Sequence, residues 1–280
     1  MEELGPNRYV DPLIGTELNL SDHVARYQNS RECNTRIYRE MEATSYHWPW
    51  LSSHRAWVEA QQWGFGDRAF HTMWYLILSH LGQHSSVIRC LEIGVYKGQV
   101  ISLWSLISRH VEVQLQISAL SPFSGVTGVT RENRLLRAIR KRIDRRFRHE
   151  IEAGSLYQNG DYFADCEKIF SEFDLDFGKV EILRGFSTDS NILSSLDERQ
   201  FDLIYIDGDH TEEIATHDVK VFAPKVAKGG VLVMDDASLF LEMDISYRGR
   251  PGSSKASELL PAMGFQNILN VGHNRVFQKQ

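Results

Sequence analysis

The hydrophobic pattern of the chain changes character near residue 85. Before it, aromatic residues crowd the sequence (Tyr46, Trp48, Trp50, Trp57, Trp63, Phe65, Phe70, Trp74, Tyr75) without any strand-turn-strand rhythm. From Arg68 to Leu81, Phe70, Met73, Trp74, Ile77 and Leu81 fall at helical spacing and Gly82 supplies a stop, which predicts a helix. After Val87 the pattern becomes short apolar runs that end in Gly or Asp and alternate with helical stretches, the mark of a parallel sheet covered on both faces. Strands are predicted at 87–93, 113–119, 180–183, 201–207, 231–235, 265–271 and 275–278. The expected architecture is therefore α/β: a doubly wound, seven-stranded, mostly parallel sheet over about residues 86–280, with a helical N-terminal segment over 1–85.

Two further features qualify this outline. The N-terminal aromatics read as packing residues, so the segment is expected to be a substrate cap or a surface for self-association. Between the second and third strands lies an insertion at about 122–160. Within it, Leu136, Ile139, Ile143, Phe147 and Ile151 make an apolar stripe beside eight Arg or Lys positions between Arg134 and Arg148, predicting a basic amphipathic helix.

Composition narrows the function classes. Charged residues make up 24% of the 280 positions and hydrophobic ones 42%, as expected of a folded globular chain. The net charge of -6 gives no general attraction to nucleic acid or anionic membrane. No apolar run is long enough to span a bilayer, and the acidic N-terminus does not read as a secretory signal. Cys33, Cys90 and Cys166 have no C-x-x-C spacing, so neither disulfides nor a zinc knot is expected and the setting is read as cytoplasmic.

Candidate chemistry lies in two places. The first is CLEIGVYKGQV, a buried strand, a turn carrying Gly94 and Gly98, and a helix start. Such a turn sits where open α/β sheets bind ligands. Glu92 occupies the place of the first glycine of a dinucleotide fingerprint, and no Walker motif exists, so the turn suits a cationic or hydroxyl-rich ligand better than a phosphate. The second is FDLIYIDGDH with VLVMDDAS, where Asp207, Asp209, Asp235 and Asp236 leave the carboxyl ends of consecutive predicted strands. Four acids at one sheet edge repel each other unless a cation or hydrogen-bond donors neutralise them, and oxygen-only ligands suit Mg²⁺, Ca²⁺ or Mn²⁺ better than zinc.

In Glu92, Gly94 and Gly98 the turn resembles the E-x-G-x-x-x-G motif of class I S-adenosylmethionine-dependent methyltransferases. The aspartates resemble those of the Mg²⁺-dependent O-methyltransferases of natural-product biosynthesis, such as the macrocin and sugar types. The resemblance implies S-adenosyl-L-methionine as cofactor, with Glu92, Gly94, Tyr96, Gly98 and Asp207 beside it and Phe186 and Ser187 near its adenine. It implies Mg²⁺, or another hard divalent cation, on Asp207, Asp235 and Asp236, with Asp209 or His210 as the general base and His210 preferred. In that family the second strand ends in an acid that holds the ribose. Here it reads QISALSPF with no carboxylate, so either Ser118 or Ser121 supplies a hydroxyl contact in its place or the ribose is held elsewhere. The loop SYRGRPGSS, 246–254, is either a lid or a surface connection. The implied reaction is O-methylation of a small-molecule hydroxyl, such as that of a glycosylated natural product. The rivals are a metal-dependent enzyme of cephalosporin-hydroxylase type on the same scaffold and a non-catalytic module using the basic helix.

Overall fold

The computed structural model describes residues 10–11, 16–17, 19–124, 142–143 and 160–280. The predicted basic helix at 131–148 lies outside the described residues apart from 142–143. Seven strands form one sheet: β1 (Val87–Ile93), β2 (Gln114–Ser121), β3 (Glu181–Arg184), β4 (Phe201–Ile206), β5 (Val226–Met234), β6 (Phe265–Val271) and β7 (Asn274–Lys279). Their order is β3-β2-β1-β4-β5-β7-β6, with β1 to β5 parallel and β7 antiparallel to both its neighbours. This is the expected doubly wound sheet, its chain reversing direction outward from β1.

The predicted strands match in number and differ at their ends. β5 begins at Val226 rather than Val231, because the sheet tolerates Lys228, Gly229 and Gly230 at an irregular step in its pairing with β4. Gly229 takes a φ of 77° there, open to Gly at little cost. Strands β4 and β5 stop one residue short of Asp207 and Asp235, although the N–H groups of both acids still bond to the neighbouring strand, at Ile93 O and Ile206 O.

Helices α1 (Leu20–Arg26), α2 (Arg31–Ser45), α3 (Pro49–Gln61) and α4 (Arg68–Gly82) precede the sheet, and α5 (Gln99–Val111), α6 (Tyr162–Glu172), α7 (Ser190–Ser195), α8 (Glu212–Phe222) and α9 (Pro251–Ser257) follow its strands. The expected boundary at residue 85 does not separate two cores. Trp74 of α4 is buried, with its ring centroid 5.2 Å from that of Trp104 on α5 and 5.0 Å from that of Tyr205 on β4. His54 of α3 is fully enclosed, Nδ1 lying 3.1 Å from His71 Nε2 on α4 and Nε2 2.9 Å from Ser102 Oγ on α5. Burial pushes its pKa down to about 3, so it works as a neutral hydrogen-bonding link. Asn34 of α2 donates to Glu242 O, and Asn270 of β6 donates to Asn34 Oδ1. The N-terminal segment is thus part of the same core as the sheet. No helix among the described residues is long and apolar enough to cross a membrane.

One buried acid stands out on the opposite face. Asp218 of α8 has no exposed surface, and its carboxyl lies beside Ser187 and His217. Burial raises its pKa to about 6, against the smaller lowering effects of Ser187 and His217.

Two outcomes test this account. Trp74→Ala should lower the unfolding free energy by about 3–5 kcal/mol and leave a single denaturant transition, whereas a separately folding N-terminal segment would give two. Asp218 has a folded pKa above its unfolded value of 3.8, so stability is lost as pH rises from about 4 to about 6. Asp218→Asn should therefore raise stability at pH 8 by on the order of 2–3 kcal/mol, an advantage that disappears below pH 4. Melting curves across this range check it.

Candidate active site

The parallel register determines which side chains meet. Ile93 pairs with Ile206, and Ile206 with Met234, so the residues leaving these strands emerge side by side at the carboxyl edge of the sheet. Asp207 and Asp235 are consequently adjacent. Asp236 follows in a left-handed conformation with φ 53°, which Asp tolerates better than most residues and which turns its side chain back toward the cluster.

The turn after β1 approaches the same point. Gly94 has φ 95°, and a Cβ there would lie 2.0 Å from Asp207 O, so only glycine lets the two turns touch. Glu92 is buried, and one oxygen accepts a hydrogen bond from the Ile101 N–H in the first turn of α5. Its Oε2 has no hydrogen-bond partner among the described residues. Burial drives the carboxyl well above the ordinary range despite that N–H, and Asp235 adds to the rise.

Between these turns opens a cleft of about 480 Å³. Glu92, Gly94, Tyr96, Asp207, His210, Asp235 and Asp236 all line it. Phe65, Phe70 and Trp74 from the N-terminal segment form the facing wall, so this segment caps the cleft. The 62–67 loop is held in place by Arg55, which donates to Phe65 O, Gly66 O and Gln99 Oε1.

Other predicted residues lie elsewhere. Asp209 does not join the cluster: its Oδ1 accepts the Thr211 N–H at 2.8 Å ahead of α8, which turns the carboxyl away from the cleft. Three carboxylates converge rather than four. Ser118 points from mid-strand to the other side, donating to Glu181 Oε2 at 2.6 Å and accepting from Arg199 at 2.9 Å, so its hydroxyl is not offered to a ligand. Gly98 begins α5 with φ 81° and packs on Cys166, outside the cleft lining. Phe186 is exposed on the loop after β3, and Ser187 is buried with its carbonyl accepting from His217 Nε2 at 3.2 Å.

The structure adds residues that spacing did not reveal. His273, in the tight turn between β6 and β7, places Nε2 3.3 Å from Asp235 Oδ1 and 4.0 Å from Asp236 Oδ1. Tyr247 donates to Asp236 Oδ2 at 2.8 Å and Arg250 Nε at 3.1 Å. The expected 246–254 loop is instead a segment to Arg250 followed by the start of α9 at Pro251, and Ser246, Tyr247 and Arg250 of that segment line the site. Gly249 and Gly252 permit this, since a Cβ on either would lie 2.2 Å from the carbonyl of Asp236 or His210. His210 itself sits with Nδ1 3.1 Å from Ser253 Oγ and Nε2 3.7 Å from Asp207 Oδ1. A glycine-histidine pair at a hairpin tip was the signal for His273, and it is common enough in ordinary turns to pass unread.

The electrostatics follow from this crowding. Burial, then Asp235, push Asp207 well above the carboxylate range. Burial and Asp235 also raise Asp236. Burial opposes ionisation of Asp235 most strongly, but His273, His210 and a hydrogen bond with Asp207 together hold Asp235 low, while the contact with Asp235 keeps the His273 pKa up against its own burial. Ligand atoms of Asp207, His210 and Asp235 lie within 4.8 Å of one another, and so do those of Asp235, Asp236 and His273. Either group can hold a metal ion.

Residues 91–237, just over half of the chain, match a protein family described as a methyltransferase domain. Solved structures share the fold at low identity. The O-methyltransferase NovP aligns with a TM-score of 0.53 and 17% identity over 75% of this chain and 79% of its own. A putative caffeoyl-CoA O-methyltransferase from Staphylococcus aureus aligns with a TM-score of 0.51 and 12% identity over 87% and 98%. A putative O-methyltransferase from Klebsiella pneumoniae gives 0.51 and 14% over 87% and 99%. No curated protein matches the sequence significantly. With the Glu92–Gly94 turn and the acids after β4 and β5 set around one cleft on this sheet, the chain belongs to the methyltransferase domain family and is an S-adenosylmethionine-dependent methyltransferase.

Proposed function

We propose that the protein methylates a hydroxyl group of a small molecule, with a divalent cation held by Asp207, Asp235 and Asp236 and with His210 as general base. The observation that carries this reading is the convergence of those three carboxylates and His210 in the cleft that the Glu92–Gly94 turn also lines. Structural relatives described as O-methyltransferases agree with it.

The chain's residues fit both groups. Glu92 Oε2, buried and unpartnered, suits the ammonium of the amino-acid end of S-adenosylmethionine, and Gly94 lets a ligand approach the backbone. Three carboxylates with open coordination positions suit Mg²⁺ or another hard dication. When bound, the cofactor supplies the sulfonium methyl and the cation supplies positive charge that acidifies an acceptor hydroxyl.

The protein does the remaining work by placement. Ser253 Oγ engages His210 Nδ1, which leaves Nε2 on the side of Asp207, where it can take the proton of an acceptor hydroxyl. Tyr247 and Arg250 hold Asp236 in orientation. Phe65, Phe70 and Tyr247 narrow the cleft and limit water around the transfer. An acceptor with neighbouring oxygens, such as a glycosylated or polyhydroxylated natural product, matches a chelating centre. Ser121, buried at the end of β2, is the remaining hydroxyl there for the ribose.

Calorimetric titration with S-adenosylmethionine, with and without Mg²⁺, tests the cofactor. Absence of binding in both conditions would sink the reading. Asp235→Asn should cut cation-dependent turnover at least about 100-fold while leaving cofactor affinity nearly intact. In a pH-rate comparison, His210→Ala should remove the rising limb and Asp209→Asn should keep it; the reverse result would return the base to Asp209.

A further inference from the structure

The carboxylates account for a cation centre, but they do not account for His273. Nothing in the E-x-G turn or the aspartate spacing calls for an imidazole at the β6–β7 turn, yet several independent contacts fix one there. Gly272 has φ 59°, and a Cβ on it would meet the Phe70 ring at 2.9 Å, so the turn is drawn tightly onto α4. The His273 ring packs edge-on against Phe70 at 4.6 Å and Tyr247 at 5.3 Å between centroids. Its carbonyl accepts the Ala237 N–H at 2.8 Å, tying the turn to the residue that follows Asp235 and Asp236.

The ring is held with Nε2 toward two acids, 3.3 Å from Asp235 Oδ1 and 4.0 Å from Asp236 Oδ1. These are separations found between neighbouring donor atoms around one ion, and the atoms of all three residues lie within 4.8 Å of one another. A second feature of the cleft shows that it is built to receive a ligand beside this group: Glu92, buried and with Oε2 unpartnered among the described residues, also lines it.

The chemistry of the donor set then bears on the identity of the ion. Mg²⁺ prefers oxygen ligands, keeps its waters and gains little from imidazole, whereas Mn²⁺, Fe²⁺, Co²⁺ and Zn²⁺ accept nitrogen readily. We propose that His273 is a nitrogen ligand of the cation centre, completing with Asp235 and Asp236 a mixed nitrogen–oxygen site that prefers a first-row transition dication to Mg²⁺. This rests on the cation centre of the reading above and leaves His210 free to act as the base.

Co²⁺ and Mg²⁺ are the informative probes, because they are close in size and differ in their taste for nitrogen. Calorimetric titration of each chloride into the metal-stripped full chain should show tighter binding of Co²⁺. His273→Gln and His273→Asn, checked for native near-ultraviolet circular dichroism, should weaken Co²⁺ by about tenfold or more, nearly spare Mg²⁺, and shift the visible Co²⁺ bands. With Mn²⁺ loaded, pulsed electron paramagnetic resonance should detect a coordinated nitrogen in the wild type that His273→Gln removes, which separates His273 from His210 of the neighbouring group. Equal affinities for the two ions, with unshifted bands and no nitrogen coupling, would overturn the role of His273 and leave a carboxylate centre standing. If neither ion binds, the cation centre itself fails. Titration with S-adenosylmethionine then shows whether cofactor binding survives without it.

Discussion

The structure turns on a register. Because β1, β4 and β5 pair in parallel with Ile93, Ile206 and Met234 in line, three strand ends deliver Glu92, Asp207 and Asp235 to one edge of the sheet. Parallel strands impose this for any sequence that follows them. What is particular here is that acids occupy the positions, and that glycine at 94 lets the first turn close onto the second. The cluster carries an electrostatic cost that the surrounding segments are built to offset. The N-terminal helices bring Phe70 against the β6–β7 turn, and the segment ahead of α9 lays Tyr247 and Arg250 on Asp236.

The N-terminal segment takes its importance from the same geometry. Helices placed before β1 could have packed anywhere on the sheet, but α4 buries Trp74 against both α5 and β4, and this puts Phe65, Phe70 and Trp74 along the cleft. Packing and function share these residues. A change in the α4 core therefore alters the wall that an acceptor would meet, and substrate choice is linked to stability through one helix.

Most of the sheet was legible because parallel strands buried on both faces leave continuous apolar runs, as in LEIGV, FDLIYID and VLVMDD. Glu92, Asp207, Asp235 and Asp236 were legible for a related reason: polar residues that terminate such runs must lie at the strand ends. His273, Tyr247 and Arg250 were not, since they arrive from loops whose path is set by tertiary contacts and not by periodicity. Asp209 and Ser118 show the complementary error. Asp209 shares a motif with Asp207 but accepts the Thr211 N–H in the turn ahead of α8, and Ser118 alternates to the opposite face of β2, where Arg199 and Glu181 bind it. Along a strand or a tight turn, a shift of one or two residues decides which side a group serves.

The balance of charge within the cluster shows where a ligand is needed. His273 answers Asp235, and Arg250 with Tyr247 answers Asp236. Asp207 has no such fixed counterpart among the described residues nearer than His210, 3.7 Å away. Its carboxyl is therefore pushed up by burial and by Asp235, with which it shares a hydrogen bond. A proton and a divalent cation are alternative answers to the same excess of negative charge, and in the proposed reading they would compete at Asp207 and Asp235. In the proposed reading a cation would serve catalysis where a proton cannot, because it would keep both carboxylates ionised beside His210. On this view Asp207 is the acid whose ionisation the centre has to secure. Asp235 and Asp236 are already paired in advance of any ligand, by His273 and by Tyr247 with Arg250.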